Sequence, residues 1–240
     1  MSASPAAADY VALGDSYAAG PLIPAQIQPF GCLKSSNNYA HLAAPQNVTP
    51  GPNPPQFDSL DADTKVVTFN IGGNDIGFTS IAESCLSASP FGSKCKSTYV
   101  HDGRDEISER IQATAPKVGA VIQGIHQRAP LARVLAVNYA AIFPERGVLG
   151  CWPQLPIAAG DIAYLRDKQK ELNAMIATQA AANGATLVDW YAASIGHDSC
   201  KPPGIRWVEP LVPANAAAPA HPNLLGMIGA AKLVVAAAGS

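Results

Sequence analysis

Three short segments carry residue types that can work together on an acyl group. Gly14-Asp15-Ser16-Tyr17 closes a short apolar run and presents a serine hydroxyl. Gly72-Gly73-Asn74-Asp75 follows a second apolar run, where paired glycines permit a tight turn and close backbone approach to a ligand. The Asn74 carboxamide is a neutral donor suited to a developing oxyanion. His221-Pro222-Asn223 stands ahead of an Ala-rich segment, with Pro222 suited to a first helical position. A neutral imidazole there can take a serine proton and return it to a leaving group. Each motif has a bland alternative: Ser16 can cap a helix, G-G-N-D can be a turn and nothing more, and a lone histidine is more often structural. The other histidines have less to offer, since His41 and His126 fall in helical patterns, His101 in a polar loop, and His197 beside Cys200.

The elements that must position these residues can be read from periodicity. Tyr10–Gly14, Val66–Ile71, Arg133–Val137 and Thr186–Trp190 are short apolar runs bounded by turn signals, which reads as buried strands. Helical patterns lie between them: 38–44, then Asp105–Arg128 interrupted by Pro116, then Asp161–Asn183 with Asp161 as its N-cap and Gly184 as its stop. A last helix is expected over 222–238. Strands alternating with helices imply a parallel sheet covered on both faces. In such sheets chemistry sits at the carboxyl ends of the strands, where Ser16 and Asn74 fall. One stretch breaks the rhythm: prolines at 45, 50, 52, 54 and 55 forbid both helix and central strand.

Composition narrows the function classes. The 240 residues, 48% hydrophobic and 14% charged, fit one globular domain over 10–240 behind a flexible segment 1–9. With 16 Lys+Arg against 18 Asp+Glu there is no basic excess, so nucleic acid is not an expected partner. No apolar run is long enough for a transmembrane segment. The five cysteines form none of the close pairs that zinc sites use, so disulfides are expected, with one thiol left over and no metal. No H-E-x-x-H or clustered carboxylate spacing points to metal catalysis, and no cofactor is expected. Residues 1–8 lack the basic and apolar regions of a signal peptide. Their small residues resemble the surroundings of a cleavage site, and spaced cysteines suit an oxidising compartment. Secretion or the cell envelope is therefore expected, with the cytoplasm as the alternative.

Taken together and in this order, the three segments resemble the SGNH or GDSL hydrolases, a family of serine esterases and lipases. The likeness runs from Tyr10 to about Val235 and is nearest to the secreted actinobacterial branch, through Asn74-Asp75-Ile76-Gly77-Phe78 and Gly196-His197-Asp198-Ser199-Cys200. The resemblance implies a three-layer α/β/α sandwich around a mainly parallel, flavodoxin-like sheet. It makes Ser16 the nucleophile and an oxyanion donor through its N–H, Asn74 the side-chain donor, and His221 the base, with Asp15 and Gly73 in the supporting turns. It also implies bridges Cys85–Cys95 and Cys151–Cys200, with Cys32 a free thiol. A small-molecule or lipid ester is the implied substrate, and a monomer the expected state. Phe30, Phe78, Phe143 and Trp152 are candidates for an acyl pocket, although core packing is the commoner use of each.

The chain departs from the family pattern twice. An acid commonly precedes the histidine by three residues, but Ala218 stands there. The carbonyl of Ala218 or a neighbour is expected to hold the ring instead, with Asp198 a poorer substitute. Relatives also carry a T-C-S-G-A-T block before the G-x-N-D strand, whose glycine N–H completes the oxyanion hole and whose cysteine pairs with the one after the first block. No such block occurs here. The sheet is accordingly expected to lack one edge strand, Cys32 its partner, and the site one donor. The alternative to an esterase is an impaired or truncated relative that binds ligand without efficient turnover.

Overall fold

The computed structural model describes residues 9–28, 33–43, 55–146 and 151–239. In chain order the elements are β1 (Tyr10–Gly14), α1 (Ser16–Ala19), a small hairpin of β2 (Gln26–Ile27) and β3 (Lys34–Ser35), and α2 (Tyr39–Ala43). A 3-10 turn at Gln56–Ser59 leads to β4 (Val66–Asn70), α3 (Phe78–Ser84) and α4 (Lys94–Tyr99). There follow a hairpin of β5 (Val100–His101) and β6 (Arg104–Asp105), then α5 (Glu106–Arg128), β7 (Arg133–Val137), α6 (Ala159–Ala182), β8 (Thr186–Val188), α7 (Trp190–Ala193) and α8 (Leu224–Gly239).

Among the described residues the central sheet has four strands in the order β1-β4-β7-β8, all parallel. Gly14 lies opposite Asn70, Phe69 opposite Ala136, and Val137 opposite Val188, so the carboxyl ends are level and the turns after them share one rim. Both faces are covered, which explains why the strands read as unbroken apolar runs. Ile107, Ile111, Val118, Ile122 and Ile125 form the buried stripe of α5, which packs against α6, and both helices touch β7. Each such side chain contributes roughly 1.5–3 kcal/mol by leaving water. On the other face α8 rests on β7 and β8 and carries α2. The guanidinium of Arg133, at the start of β7, donates to the Ala237 and Ala238 carbonyls and closes the C-terminal end of α8.

Three local expectations are corrected. Helix α5 runs unbroken through Pro116, which lies on the exposed face where water can satisfy the carbonyl that the ring deprives of a donor. Helix α6 begins at Ala159 with Ala158 as N-cap. Asp161 is fully buried inside its first turn, and the carboxylate accepts from the backbone N–H groups of Cys95 and Lys96 at 2.9 and 3.0 Å. It therefore caps α4 across space and holds the Cys95 backbone. The last sheet strand stops at Val188, because Asp189 turns to cap α7 through Ala192 N–H. Disulfides join Cys85 to Cys95 and Cys151 to Cys200, while Cys32, Phe30 and residues 1–8 lie outside the described residues. Asp9 is tied down, its carbonyl accepting from Lys65 and Val66 N–H at the start of β4.

Among the described residues β1 is an outer strand of this sheet, and the Gln56 side chain meets its free side. Gln56 Nε2 donates to the Gly14 carbonyl at 2.8 Å, and Gln56 Oε1 accepts from the Gly14 N–H at 2.6 Å. A single carboxamide thus copies the donor–acceptor pair of a neighbouring strand at the last residue of β1.

Candidate active site

The site forms where the rim of the sheet meets the turn before α8. Gly14 ends β1 at φ +151, a conformation open to glycine, and a Cβ there would stand 2.7 Å from Ala18 Cβ and 2.8 Å from the Asn70 carbonyl. The chain then turns at once into α1, with Asp15 Oδ1 capping it through Tyr17 N–H at 2.9 Å. That leaves Ser16 as the first helical residue, whose N–H has no acceptor within a helix by geometry and finds none among the described residues. Ser16 Oγ lies 2.7 Å from His221 Nε2, across 205 positions of sequence.

The other ring nitrogen fixes the tautomer. His221 Nδ1 sits 2.8 Å from the Pro219 carbonyl, which can only accept, so Nδ1 carries the proton and Nε2 is free to receive one from Ser16. Pro219 is thus the neighbour of Ala218 that holds the ring, and the Ala218 carbonyl accepts from the His221 backbone N–H instead. Asp198 is elsewhere, caps Cys200 N–H and faces Lys201. Burial holds the imidazole below its ordinary pKa, opposed by the Pro219 hydrogen bond, so the ring is neutral at pH 7 and ready to act as a base.

The loop that delivers His221 is braced from below. Glu209 and Arg206 form a buried ion pair at 2.8 Å. The Glu209 carboxylate also accepts from Asn215, Asn223 and the Ala214 N–H, which offset the cost of its burial and bring its pKa down to about 2. Glu209 N–H donates to the His221 carbonyl, and Asn223 N–H to the Trp207 carbonyl. Ala220 adopts φ +58, unfavourable for a residue with a Cβ, and its carbonyl is pinned by the Tyr17 hydroxyl at 2.7 Å. Tyr17 therefore ties the Ser16 turn directly to the His221 turn.

Asn74 is exposed at the opposite side of the same pocket, and its side-chain amide has no partner among the described residues. Its turn is set by a residue that the sequence reading missed. The Tyr139 hydroxyl accepts from Gly73 N–H at 2.8 Å and donates to Asp15 Oδ2 at 2.5 Å. A Cβ on Gly73 would stand 3.0 Å from that hydroxyl oxygen, so glycine gives the approach its room. The signal that could have found Tyr139 was its position two residues past the carboxyl end of β7, on the same rim as Ser16 and Asn74.

From Ser16, Asn74 and His221 an apolar cavity of about 90 Å³ runs inward between α3, α5 and α6, past Ile76, Phe78, Ile81, Ile107, Phe143 and Leu172. Phe78 and Phe143 line it and Trp152 does not. On the other side of Ser16 lies a wider groove bounded by Gly14, Asn38, His41 and Gln56. Gly14 is the one glycine among the described residues lining it, and its N–H is taken by Gln56. Among the described residues no group of three or more His, Cys, Asp or Glu could hold a metal ion.

A serine hydroxyl bonded to a neutral imidazole at the carboxyl rim of a parallel sheet, above an apolar cavity, defines an α/β protein of the serine-hydrolase class. The model of the GDSL-like lipase/acylhydrolase family matches residues 12–227. The chain is 39% identical to Lipase 2 of Streptomyces coelicolor over 91% of its own length and 81% of that protein, and 28% identical to Lipase 1 of the same organism. Two solved structures share the fold. Phospholipase A1 from Streptomyces albidoflavus superposes with a TM-score of 0.79 at 24% identity, covering 95% of this chain and 98% of that one. An extracellular lipase from Streptomyces rimosus gives 0.78 at 25%, covering 95% and 99%. The chain belongs to the GDSL-like lipase/acylhydrolase family and is a serine ester hydrolase.

Proposed function

We propose that this protein hydrolyses carboxylic esters through an acyl-enzyme on Ser16, with His221 as general base and acid and without a carboxylate behind it. The Ser16 proton passes to His221 Nε2 as Oγ bonds to the ester carbonyl carbon, and the carbonyl oxygen takes the negative charge. The Ser16 N–H and the Asn74 amide receive that oxyanion. The C–O bond to the alcohol breaks as His221 returns the proton to the leaving oxygen. Water, deprotonated by His221, then cleaves the acyl-enzyme to the carboxylic acid and free serine. The observation that carries this reading is the 2.7 Å contact of Ser16 Oγ with a correctly oriented imidazole at the mouth of an apolar cavity.

The cavity suits the acyl part of the ester, leaving the alcohol on the open side, so lipid and simple aryl esters both fit. With Gly14 N–H occupied and no other glycine donor lining that side among the described residues, the oxyanion rests on two donors. A site with two donors in place of three is expected to turn over roughly 10²–10³-fold more slowly. Residues 10–240 act as one domain and as a monomer, with no nucleic-acid partner. Two disulfides suit a secreted or cell-envelope protein.

The test is hydrolysis of an aryl ester series by wild type and Ser16→Ala, with mass spectrometry after a fluorophosphonate. Loss of activity and of a single label at Ser16 is expected. Undiminished hydrolysis by Ser16→Ala would overturn the assignment.

A further inference from the structure

The turn that bears the nucleophile and the turn that bears the Asn74 donor come from different strands, β1 and β4, and the oxyanion must be received by both at once. Their relative placement sets whether two donors converge on one oxygen. The geometry is bridged by a single hydroxyl from a third strand end: Tyr139 receives Gly73 N–H and gives its own proton to Asp15 Oδ2. Tyr139 is itself fixed, because its backbone N–H donates to Asn173 Oδ1 at 3.0 Å, its carbonyl accepts from Asn173 Nδ2 at 2.9 Å, and its ring meets Tyr17 edge-on at 5.1 Å.

Resting on the reading of Ser16 and Asn74 given above, we infer that Tyr139 is a positioning residue of the oxyanion hole, and that it locks the two turns together most firmly while Asp15 is ionised.

The direction of the bonds favours this. A hydroxyl has one proton, and the Tyr139 proton needs an acceptor on Asp15 if its lone pair is to face Gly73 N–H. An ionised carboxylate accepts at both oxygens, Oδ2 from Tyr139 and Oδ1 from Tyr17 N–H. Once protonated, whichever oxygen holds the proton, one of these bonds loses its charged acceptor, and charge-assisted bonds are about twice as strong as neutral ones. If Oδ2 is protonated, the Tyr139 proton must turn toward the apolar lining of the cavity.

Asp15 sits where this exchange happens at working pH. Burial pushes its carboxyl up to about 6, against the lowering effect of its bonds to Tyr139 and Tyr17. Among the described residues Lys168 lines the cavity on one side of Asp15, and Lys34 and His41 line the groove on the other. The neutral phenols of Tyr17, Tyr39 and Tyr139 surround it, Asp75 adds a like charge from the next turn while paired with Lys117 at 3.1 Å, and His221 is one residue away through Ser16. None supplies a cation in contact with Asp15 among the described residues.

Two protonations, of His221 and of Asp15, then disable the site as pH falls. The experiment is the pH profile of kcat/KM for an aryl acetate between about pH 4 and 8, with wild type, Asp15→Asn and Tyr139→Phe, each checked for folding by circular dichroism. In wild type the acid limb is expected to steepen toward a slope of about 2, and in Asp15→Asn to fall to about 1. Tyr139→Phe is expected to lose roughly 10–100-fold in kcat, with KM changed far less and a slope of about 1. A wild-type slope of about 1 that Asp15→Asn leaves unchanged, or a folded Tyr139→Phe with full kcat, would overturn the inference. Ser16→Ala run alongside separates the two readings, since activity surviving there defeats the nucleophile assignment whatever the slopes.

Discussion

Replacing Asp15 by Asn should make this protein more stable at neutral pH and less active, because the carboxylate is held ionised against its surroundings. Its pKa rises from 3.8 to about 6 on folding, with burial as the leading cause. The interval is roughly two pH units, and at about 1.4 kcal/mol per unit the cost of an ionised Asp15 approaches 3 kcal/mol. Below pH 3.8 the group is protonated in folded and unfolded chains alike and nothing is lost. Between 3.8 and 6 the folded state holds the proton more tightly, so stability falls as pH rises through that window and stays reduced above it. Asn carries no such penalty, and its carbonyl oxygen can still accept from Tyr139 or Tyr17. Residual solvent contact and the weaker neutral bonds reduce the gain to about 1–2 kcal/mol at pH 7.5, a rise of roughly 2–8 °C in Tm for a chain of this size. Urea unfolding at pH 7.5 and pH 4, with the disulfides intact, measures it. A gain present at 7.5 and nearly absent at 4 is expected; an Asn variant that is less stable at both, or equally changed at both, refutes the reasoning.

Two further outcomes follow from the site and the sheet edge. Asn74→Ala should lower kcat by about 10²–10³-fold at little change in KM, since it removes one of two oxyanion donors; steady-state kinetics on an aryl ester would show it, and an effect below tenfold would place the oxyanion elsewhere. Gln56→Ala should cost about 1 kcal/mol in urea unfolding and raise light scattering on storage, because it bares the Gly14 N–H and carbonyl on the outer strand; unchanged stability and scattering would show that water serves Gly14 equally well.

Much of this protein was legible in its sequence, for reasons specific to its fold. Strands buried on both faces leave uninterrupted apolar runs, so β1 and β7 could be bounded to the residue. Ser16 and Asn74 are legible as candidates because a parallel sheet sends its chemistry to strand ends, and His221 only in combination with them, through the likeness to the GDSL hydrolases. What stayed hidden was every role that depends on contact across space. Asp161 has the right type and place to cap α6, and only the packing of α4 against α6 reveals that its carboxylate serves the other helix. Gln56 stands beside a proline-rich stretch where nothing local marks it as a partner for β1. Tyr139 lies on the catalytic rim, yet a tyrosine after an apolar strand is ordinarily core, and its hydroxyl bonds span 66 and 124 positions. Pro116 misled because its effect depends on whether the freed carbonyl faces water.

The bond from the Tyr17 hydroxyl to the Ala220 carbonyl joins the first strand's turn to the turn before the last helix. On the proposed mechanism the nucleophile precedes β4, β7 and β8 along the chain and the base follows them. A growing or partly folded chain can therefore possess β1, β4 and β7 in full and still have a serine no more reactive than one in water. On that mechanism the site is assembled only when α8 is docked and the turn before it holds His221 over Ser16, so hydrolytic power is expected to depend on that docking.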